Sequence, residues 1–227
     1  DLPSLDGLES LTKIGDYLYI SSNSTLVNLA GLDNLNEVGG VLQIASNSSL
    51  VSFAGLDQLG SVGGDLIIRS NDSLTSFSGL GSLESVEEGF TIVDNDNSEL
   101  TSFTGLESLE SIGLAFTIDS NSGLTSFNGL GSLTSVGGYV RVMYNPALLS
   151  FDGLSSIDTI SEYLMIYYND SLHSIDAFYR LTVSTSGLSI WGTSALCTSD
   201  AIAFSDFMAD LPGDLAENHV SGTVDGC

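Results

Sequence analysis

Acidic side chains are the first residues in this sequence whose spacing could support chemistry. Asp94, Asp96 and Ser98 stand at positions i, i+2 and i+4, which is how a calcium-binding loop begins to supply oxygen ligands. The glycine and the distant glutamate that complete such a loop are missing, so a polar insertion at a solvated corner is the simpler interpretation. We expect no metal or other cofactor, with calcium at these three residues as the alternative.

A carboxylate pair is the second candidate. Asp94 and Asp119 fall near the same strand end on neighbouring repeats, where two carboxylates could act as acid and base on a glycoside. Among 29 acidic residues, chance adjacency explains the pair better. Metalloprotease, phosphate-loop and serine-hydrolase motifs are absent from the sequence, and His173 and His219 stand alone. We therefore predict no catalytic residues and no enzyme, with a carbohydrate-active enzyme as a less favoured reading.

The charge balance excludes some partners. Four basic residues stand against 29 acidic ones, for a formal net charge of -25. Nucleic acids and anionic lipids are bound through Lys and Arg, so we expect neither as a partner. No run of about 18 apolar residues occurs, and we expect no direct membrane insertion.

The two cysteines lie near the end of the sequence. Cys197 and Cys227 bracket a terminal segment, and one disulfide between them is the simplest interpretation, with two unpaired thiols as the alternative. A disulfide indicates an oxidising compartment, so we predict a secreted or cell-surface protein.

An internal repeat organises most of the chain. The dipeptide Gly-Leu recurs from Gly7-Leu8 to Gly153-Leu154 in steps of 24 residues, with one step of 26. Each repeat contains an x-L-x-I-x segment, whose alternation is typical of a strand with one buried face. Asparagines follow these segments with the same period, at Asn23, Asn47, Asn71, Asn95, Asn121, Asn145 and Asn169. Stacked, they would form an internal hydrogen-bonded ladder.

The repeat predicts an all-β fold, a right-handed parallel β-helix of about eight turns spanning residues 1–193. A turn of this length cannot bury its own apolar side, so it must stack on its neighbours. The turn pattern, with G-L-x-x-L, V-G-G-x-L-x-I and the following Asn, resembles the receptor L-domain family of leucine-rich β-helix modules over about residues 2–193. That resemblance implies a leucine-rich, right-handed β-helix fold and a location at the cell surface. Growth-factor binding is not implied, because the cysteine-rich modules that accompany those domains are missing.

The last segment, residues 194–227, has a different character. Apolar residues at Ile202, Phe204, Phe207, Met208 and Leu211 predict one short amphipathic helix. Thr198 or Ser199 would be its N-cap, and Pro212-Gly213 would follow its end. We expect this helix, held by the Cys197–Cys227 bridge, to cover the last hydrophobic layer of the solenoid.

The outward strand positions carry the strongest functional signal. Eight of the ten phenylalanines occupy the buried-type positions of the repeat, whereas seven of the eight tyrosines lie on the strand segments with the single tryptophan. Large outward residues concentrate in the last three turns and define the aromatic face: Tyr139, Arg141, Met143, Tyr144, Tyr163, Met165, Tyr167, Tyr168 and Trp191. Tyr144 and Tyr168 are ambiguous in phase, because each follows an inward residue by two positions.

These residue types are enriched at recognition surfaces. We therefore predict a recognition or adhesion module that binds a protein or glycan partner through the aromatic face. Self-association, or coverage of this face by the C-terminal segment, is the alternative for the patch. A structural spacer of a larger surface protein is the alternative function, and an ice-binding solenoid is less favoured, because its threonine column is interrupted at Val51 and Leu149.

Overall fold

The computed structural model describes residues 1–95, 99–182, 187–210 and 217–223. These residues form a parallel β-solenoid of about seven turns, with about 24 residues per turn and one short helix near the C-terminus. The predicted fold class is confirmed.

Each of the seven turns contributes a short strand and a longer strand to two parallel sheets. The short strands are Lys13–Ile14 (β1), Glu37–Val38 (β3), Ser61–Val62 (β5), Ser85–Val86 (β7), Ser111–Ile112 (β9), Ser135–Val136 (β11) and Thr159–Ile160 (β13). The longer strands are Leu18–Ser21 (β2), Leu42–Ala45 (β4), Leu66–Arg69 (β6), Phe90–Val93 (β8), Phe116–Asp119 (β10), Val140–Met143 (β12) and Tyr163–Tyr167 (β14).

Two further strands extend the longer sheet beyond the seventh turn. Gly187–Trp191 (β15) pairs with β14, and Glu217–Ser221 (β16) pairs with β15. A 3-10 helix at Asp176–Arg180 precedes them, where Ala177-Phe178 follows Gly153-Leu154 by 24 residues. The place of an eighth short strand falls in residues 183–186, which lie outside the described part of the chain. The C-terminal segment therefore adds a strand to the solenoid as well as a helix.

Alternation along each longer strand builds the core. In β4, Leu42 and Ile44 are buried while Gln43 between them is half-buried. The leucines of each corner join them in one continuous apolar cluster that runs the length of the solenoid. Phenylalanines of successive turns stack inside it with ring centroids 5.1–5.8 Å apart, at Phe53, Phe77, Phe103, Phe127 and Phe151. In-register stacking follows from the strand spacing of about 4.8 Å.

The asparagine ladder is confirmed as an internal structure. Asn71 is fully buried, its side-chain oxygen accepts from the backbone N–H of Asn47 at 3.1 Å, and its amide donates to the Ile44 carbonyl at 3.0 Å. Equivalent bonds link the other rungs, for example the backbone N–H of Asn121 to the side-chain oxygen of Asn145. Each asparagine thus satisfies a buried backbone donor that the corner would otherwise orphan.

Glycine is required where the turns approach most closely. Gly79 has φ +103°, and a Cβ built there would overlap the backbone carbonyl of Phe53 in the preceding turn. The recurring Gly of Gly-Leu therefore serves a left-handed backbone and a close contact between turns at once.

The cap helix, Thr198–Ala209 (α1), forms within the predicted segment, and two details of the prediction are wrong. Its N-cap is Cys197, with no side-chain capping bond, so neither Thr198 nor Ser199 has that role. Ile202 is 50% exposed because the buried face of the helix runs through Ala201, Phe204 and Met208. Leu211, Pro212, Gly213 and Cys227 lie outside the described residues, so the Cys197–Cys227 bridge stays a prediction, as does a domain boundary at residue 193.

Candidate functional site

The strand register aligns the large side chains of the last turns in columns across the sheet. Arg141 lies opposite Met165, and Met165 lies opposite Ser189. One column along the strands, Met143 lies opposite Tyr167, and Tyr167 opposite Trp191. The sheet therefore brings most of the aromatic face onto the adjacent strands β12, β14 and β15 or their ends.

A left-handed backbone position ends each longer strand and decides the phase of Tyr144 and Tyr168. One residue per turn has φ between 53° and 60° at this place: Ser22, Ser46, Ser70, Asp94, Ser120, Tyr144 and Tyr168. Serine and aspartate are small, and aspartate tolerates this conformation better than most residues, whereas a bulky side chain with positive φ is uncommon. Strained residues of this kind cluster at functional sites. The left-handed turn keeps both tyrosines out of the core, and Tyr144 is exposed while Tyr168 is half-buried.

Three rings line up along the solenoid at this corner. The Tyr144 and Tyr168 rings stack with centroids 4.9 Å apart and planes 5° apart, and the Tyr168 and Trp191 centroids lie 5.0 Å apart at 54°. The next left-handed residue is Gly192, where a Cβ would come within 2.7 Å of the Tyr168 ring. The missing side chain leaves room for that ring. We call Tyr144, Tyr168 and Trp191 the ring row.

A groove of about 520 Å³ lies along the ring row. Its lining comprises Met143, Tyr144, Tyr167, Tyr168, Ser189, Trp191 and His219. Tyr144 is 47% exposed and Trp191 is 48% exposed, so the rings remain accessible to a ligand. Five of the nine predicted residues of the aromatic face meet in this groove.

Ser189 and His219 line the groove without having been predicted. Ser189 belongs to the column of Arg141 and Met165 and could have been found by extending the register one strand. His219 lies on β16 opposite Ser189, after an insertion that contains the cap helix, so no repeat period leads to it.

Arg141 lies on β12, two residues before Met143 of the groove, and has no acidic partner among the described residues. It is half-buried, its Nε atom is inaccessible to solvent, and that atom has no hydrogen-bond partner. Within the described ranges, the one salt bridge joins Lys13 to Glu37. The diagonal neighbour Asp119 instead accepts the Ser120 hydroxyl at 2.8 Å. A cation is thus left unpaired in a chain with 29 acidic residues.

The remaining predicted residues lie outside the groove. Tyr139, just before β12, and Tyr163, the first residue of β14, are four positions before Met143 and Tyr167, about 13 Å away along the strand direction. Met165 lies beside Arg141 at the centre of the face. The predicted patch therefore divides into a groove at the strand ends and four residues outside the groove, at the starts and centres of the strands.

The weaker candidates gain little from the structure. Asp96 and Ser98 lie outside the described residues, and the ranges that are described contain no cluster of three or more metal-ligating side chains. Asp94 and Asp119 are linked through their backbones, with the N–H of Asp94 donating to the Asp119 carbonyl at 3.2 Å. Asp94 is exposed and Asp119 half-buried.

No protein family, no curated protein and no solved structure matched the chain when it was compared with them. The resemblance to receptor L-domains thus stays a prediction from the repeat pattern. No helix in the described part of the chain is long and apolar enough to cross a membrane. The fold and the groove define a β-solenoid with a ring-lined corner.

Proposed function

We propose that this chain is a recognition or adhesion module of a secreted or cell-surface protein, and that the groove beside the ring row is its binding site. The observation that carries the proposal is the pair Tyr144 and Tyr168. Five other turns place serine or aspartate at the same left-handed position, so the backbone does not call for an aromatic residue there.

Exposure and composition support the proposal. Ring-row side chains offer large rigid surfaces at low entropic cost, and Tyr and Trp are the types that dominate binding hot spots. Buried positions in the same turns keep Leu, Ile, Val and Phe, which packing in the core explains. The outward tyrosines need a different explanation, and a ligand provides one.

The variant Tyr144→Ser with Tyr168→Ser tests the proposal. Serine is what turns one, two, three and five carry at this position, so the double variant should fold, with a melting temperature within a few degrees of the wild type. A glycan array and an array of extracellular proteins would be probed with both forms. We expect ligands of the wild type to be lost by the variant.

A matched control comes from the opposite end of the solenoid. Tyr17 and Tyr19 are also exposed and stacked, with centroids 4.9 Å apart, and lie far from the groove. The variant Tyr17→Ser with Tyr19→Ser should keep every array signal. If the wild type binds nothing on either array, or if both double variants bind as it does, the recognition proposal is wrong and a spacer is the better description.

A further inference from the structure

We propose that the groove binds an acidic oligosaccharide, with Arg141 pairing the acidic group and the sugar chain lying along the ring row, against the ring edges and the free face of Tyr144. This inference rests on the proposed function and names the chemistry of its ligand.

The spacing of the ring row favours a sugar chain over a peptide. Its centroids advance by 4.9 Å and 5.0 Å along the solenoid, because each ring comes from a new turn. An extended peptide repeats its side-chain pattern every two residues, or about 6.6 Å, and falls out of register with the row. One pyranose ring with its glycosidic oxygen advances a chain by a distance close to the ring-row spacing.

The exposed surfaces of the ring row suit sugar contacts. Tyr144 is the last ring towards turn five, where the equivalent residue is Ser120, too small to cover a tyrosine ring. Sugars present apolar C–H faces to aromatic rings and hydroxyls to polar groups. The Tyr144 and Tyr168 hydroxyls, Ser189 and His219 supply the polar groups at the same groove.

Arg141 supplies the charge that selects an acidic sugar. It lies on β12, three residues before Tyr144, which follows the end of that strand, so the two are about 10 Å apart along the strand direction. The length of an arginine side chain, together with that of a carboxylate or sulfate projecting sideways from a sugar, spans this separation. A guanidinium group can bind either a carboxylate or a sulfate through two parallel hydrogen bonds.

The overall charge of the protein does not oppose this contact at physiological salt. Repulsion from the net charge of -25 is screened beyond about 8 Å at 0.15 M ionic strength. A half-buried pair at Arg141 is screened much less. The attraction between Arg141 and one acidic group of an oligosaccharide would therefore outweigh the screened repulsion from distant carboxylates of the protein.

Fluorescence of Trp191, the single tryptophan of the chain, reports binding directly. Three probes would be titrated: a tetrasaccharide of a uronic acid, its carboxyl-reduced neutral form, and the neutral form carrying a sulfate. We expect saturable changes with the acidic probes, and the tighter of the two identifies carboxylate or sulfate as the natural group.

The variant Arg141→Gln separates charge recognition from ring contacts. Losing a charge-assisted pair should weaken the acidic probes by about 10- to 100-fold, and the neutral probe by less than about twofold. Arg69→Gln is the matched control, since Arg69 is an exposed cation on the same sheet three turns away. It should leave all three affinities unchanged, and circular dichroism would confirm that both variants fold.

Several results would overturn the inference. Equal weakening of neutral and acidic probes by Arg141→Gln would make Arg141 a structural residue, and tighter binding of an acidic tetrapeptide would make the ligand a protein. If no saccharide binds while Tyr144→Ser with Tyr168→Ser still abolishes binding to an arrayed protein, this inference fails and the proposed function stands. If that double variant abolishes nothing, both fail.

Discussion

Removing one asparagine of the ladder should lower the stability of the solenoid by more than the loss of one hydrogen bond. In the wild type, the Asn71 side chain accepts from the Asn47 backbone N–H at 3.1 Å and from the Asn47 amide at 3.3 Å, and it donates to Ile44 at 3.0 Å. The substitution Asn71→Ala orphans a buried N–H, which costs about 1–3 kcal/mol, and loses a hydrogen bond worth about 1 kcal/mol. We expect the free energy of unfolding to fall by about 2–4 kcal/mol.

The first asparagine of the ladder is less buried than the others and offers a comparison. Asn23, at its first rung, is 8% exposed and accepts from the Leu2 backbone N–H, so water can replace part of what Asn23→Ala removes, and the loss should be about 1 kcal/mol. The surface substitution Asn128→Ala is the control, because Asn128 is exposed, and it should stay within about 0.5 kcal/mol of the wild type.

Equilibrium unfolding in guanidinium, followed by circular dichroism, measures these differences as shifts in the midpoint at constant slope. Asn71→Asp adds a second check. The aspartate keeps the side-chain volume but turns an oxygen towards the Ile44 carbonyl. Its loss of unfolding free energy relative to wild type should therefore shrink at acidic pH, where a protonated carboxyl can donate a hydrogen bond to that carbonyl. An Asn71→Ala protein within 0.5 kcal/mol of the Asn128→Ala control would refute the claim that the ladder holds the corners together.

Three further predictions concern Gly79, the Cys197–Cys227 bridge and Tyr179. Gly79→Ala should destabilise the fold by more than about 3 kcal/mol in the same unfolding assay, since it adds strain at positive φ to a clash with the previous turn. Gly81→Ala is the control, because the site has open space around it, and it should leave the stability unchanged. Equal denaturation midpoints for the two variants would contradict this prediction. Mass spectrometry of the non-reduced protein should find Cys197 linked to Cys227, and two alkylated thiols would disprove the bridge. Burial, followed by nearby carboxylates, raises the pKa of Tyr179, so its neutral form stabilises the fold below its unfolded pKa of about 10 and that contribution disappears as pH rises through the folded value; Tyr179→Phe should lose less stability than wild type between pH 9 and about 12, and parallel pH profiles would contradict it.

Most of the fold could be predicted because each turn repeats one solution to one packing problem. The alternation of Leu42, Gln43 and Ile44 places two side chains in the core and one on the outside, and the same period carries that arrangement through seven turns. The ladder followed from the same period, since asparagines 24 residues apart can meet only if turns stack in register. Local periodicity therefore determined the sheets, the core and the outward columns.

The candidate groove depended on information that no period contains. Strand alternation left Tyr144 and Tyr168 ambiguous, and only the left-handed backbone after each strand turned them outward. His219 reached the groove because β16 pairs beside β15 after the cap helix, an insertion that breaks the repeat.

The cap shows the same division between sequence and tertiary structure. Apolar spacing predicted a helix, but the direction in which it docks decided that Ala201, Phe204 and Met208 face the core while Ile202 faces solvent. The sequence by itself determined what repeats, because identical turns bury identical positions. Tertiary structure decided what happens once per chain, the ring-lined corner and the docked cap, because those contacts join residues whose separation obeys no period.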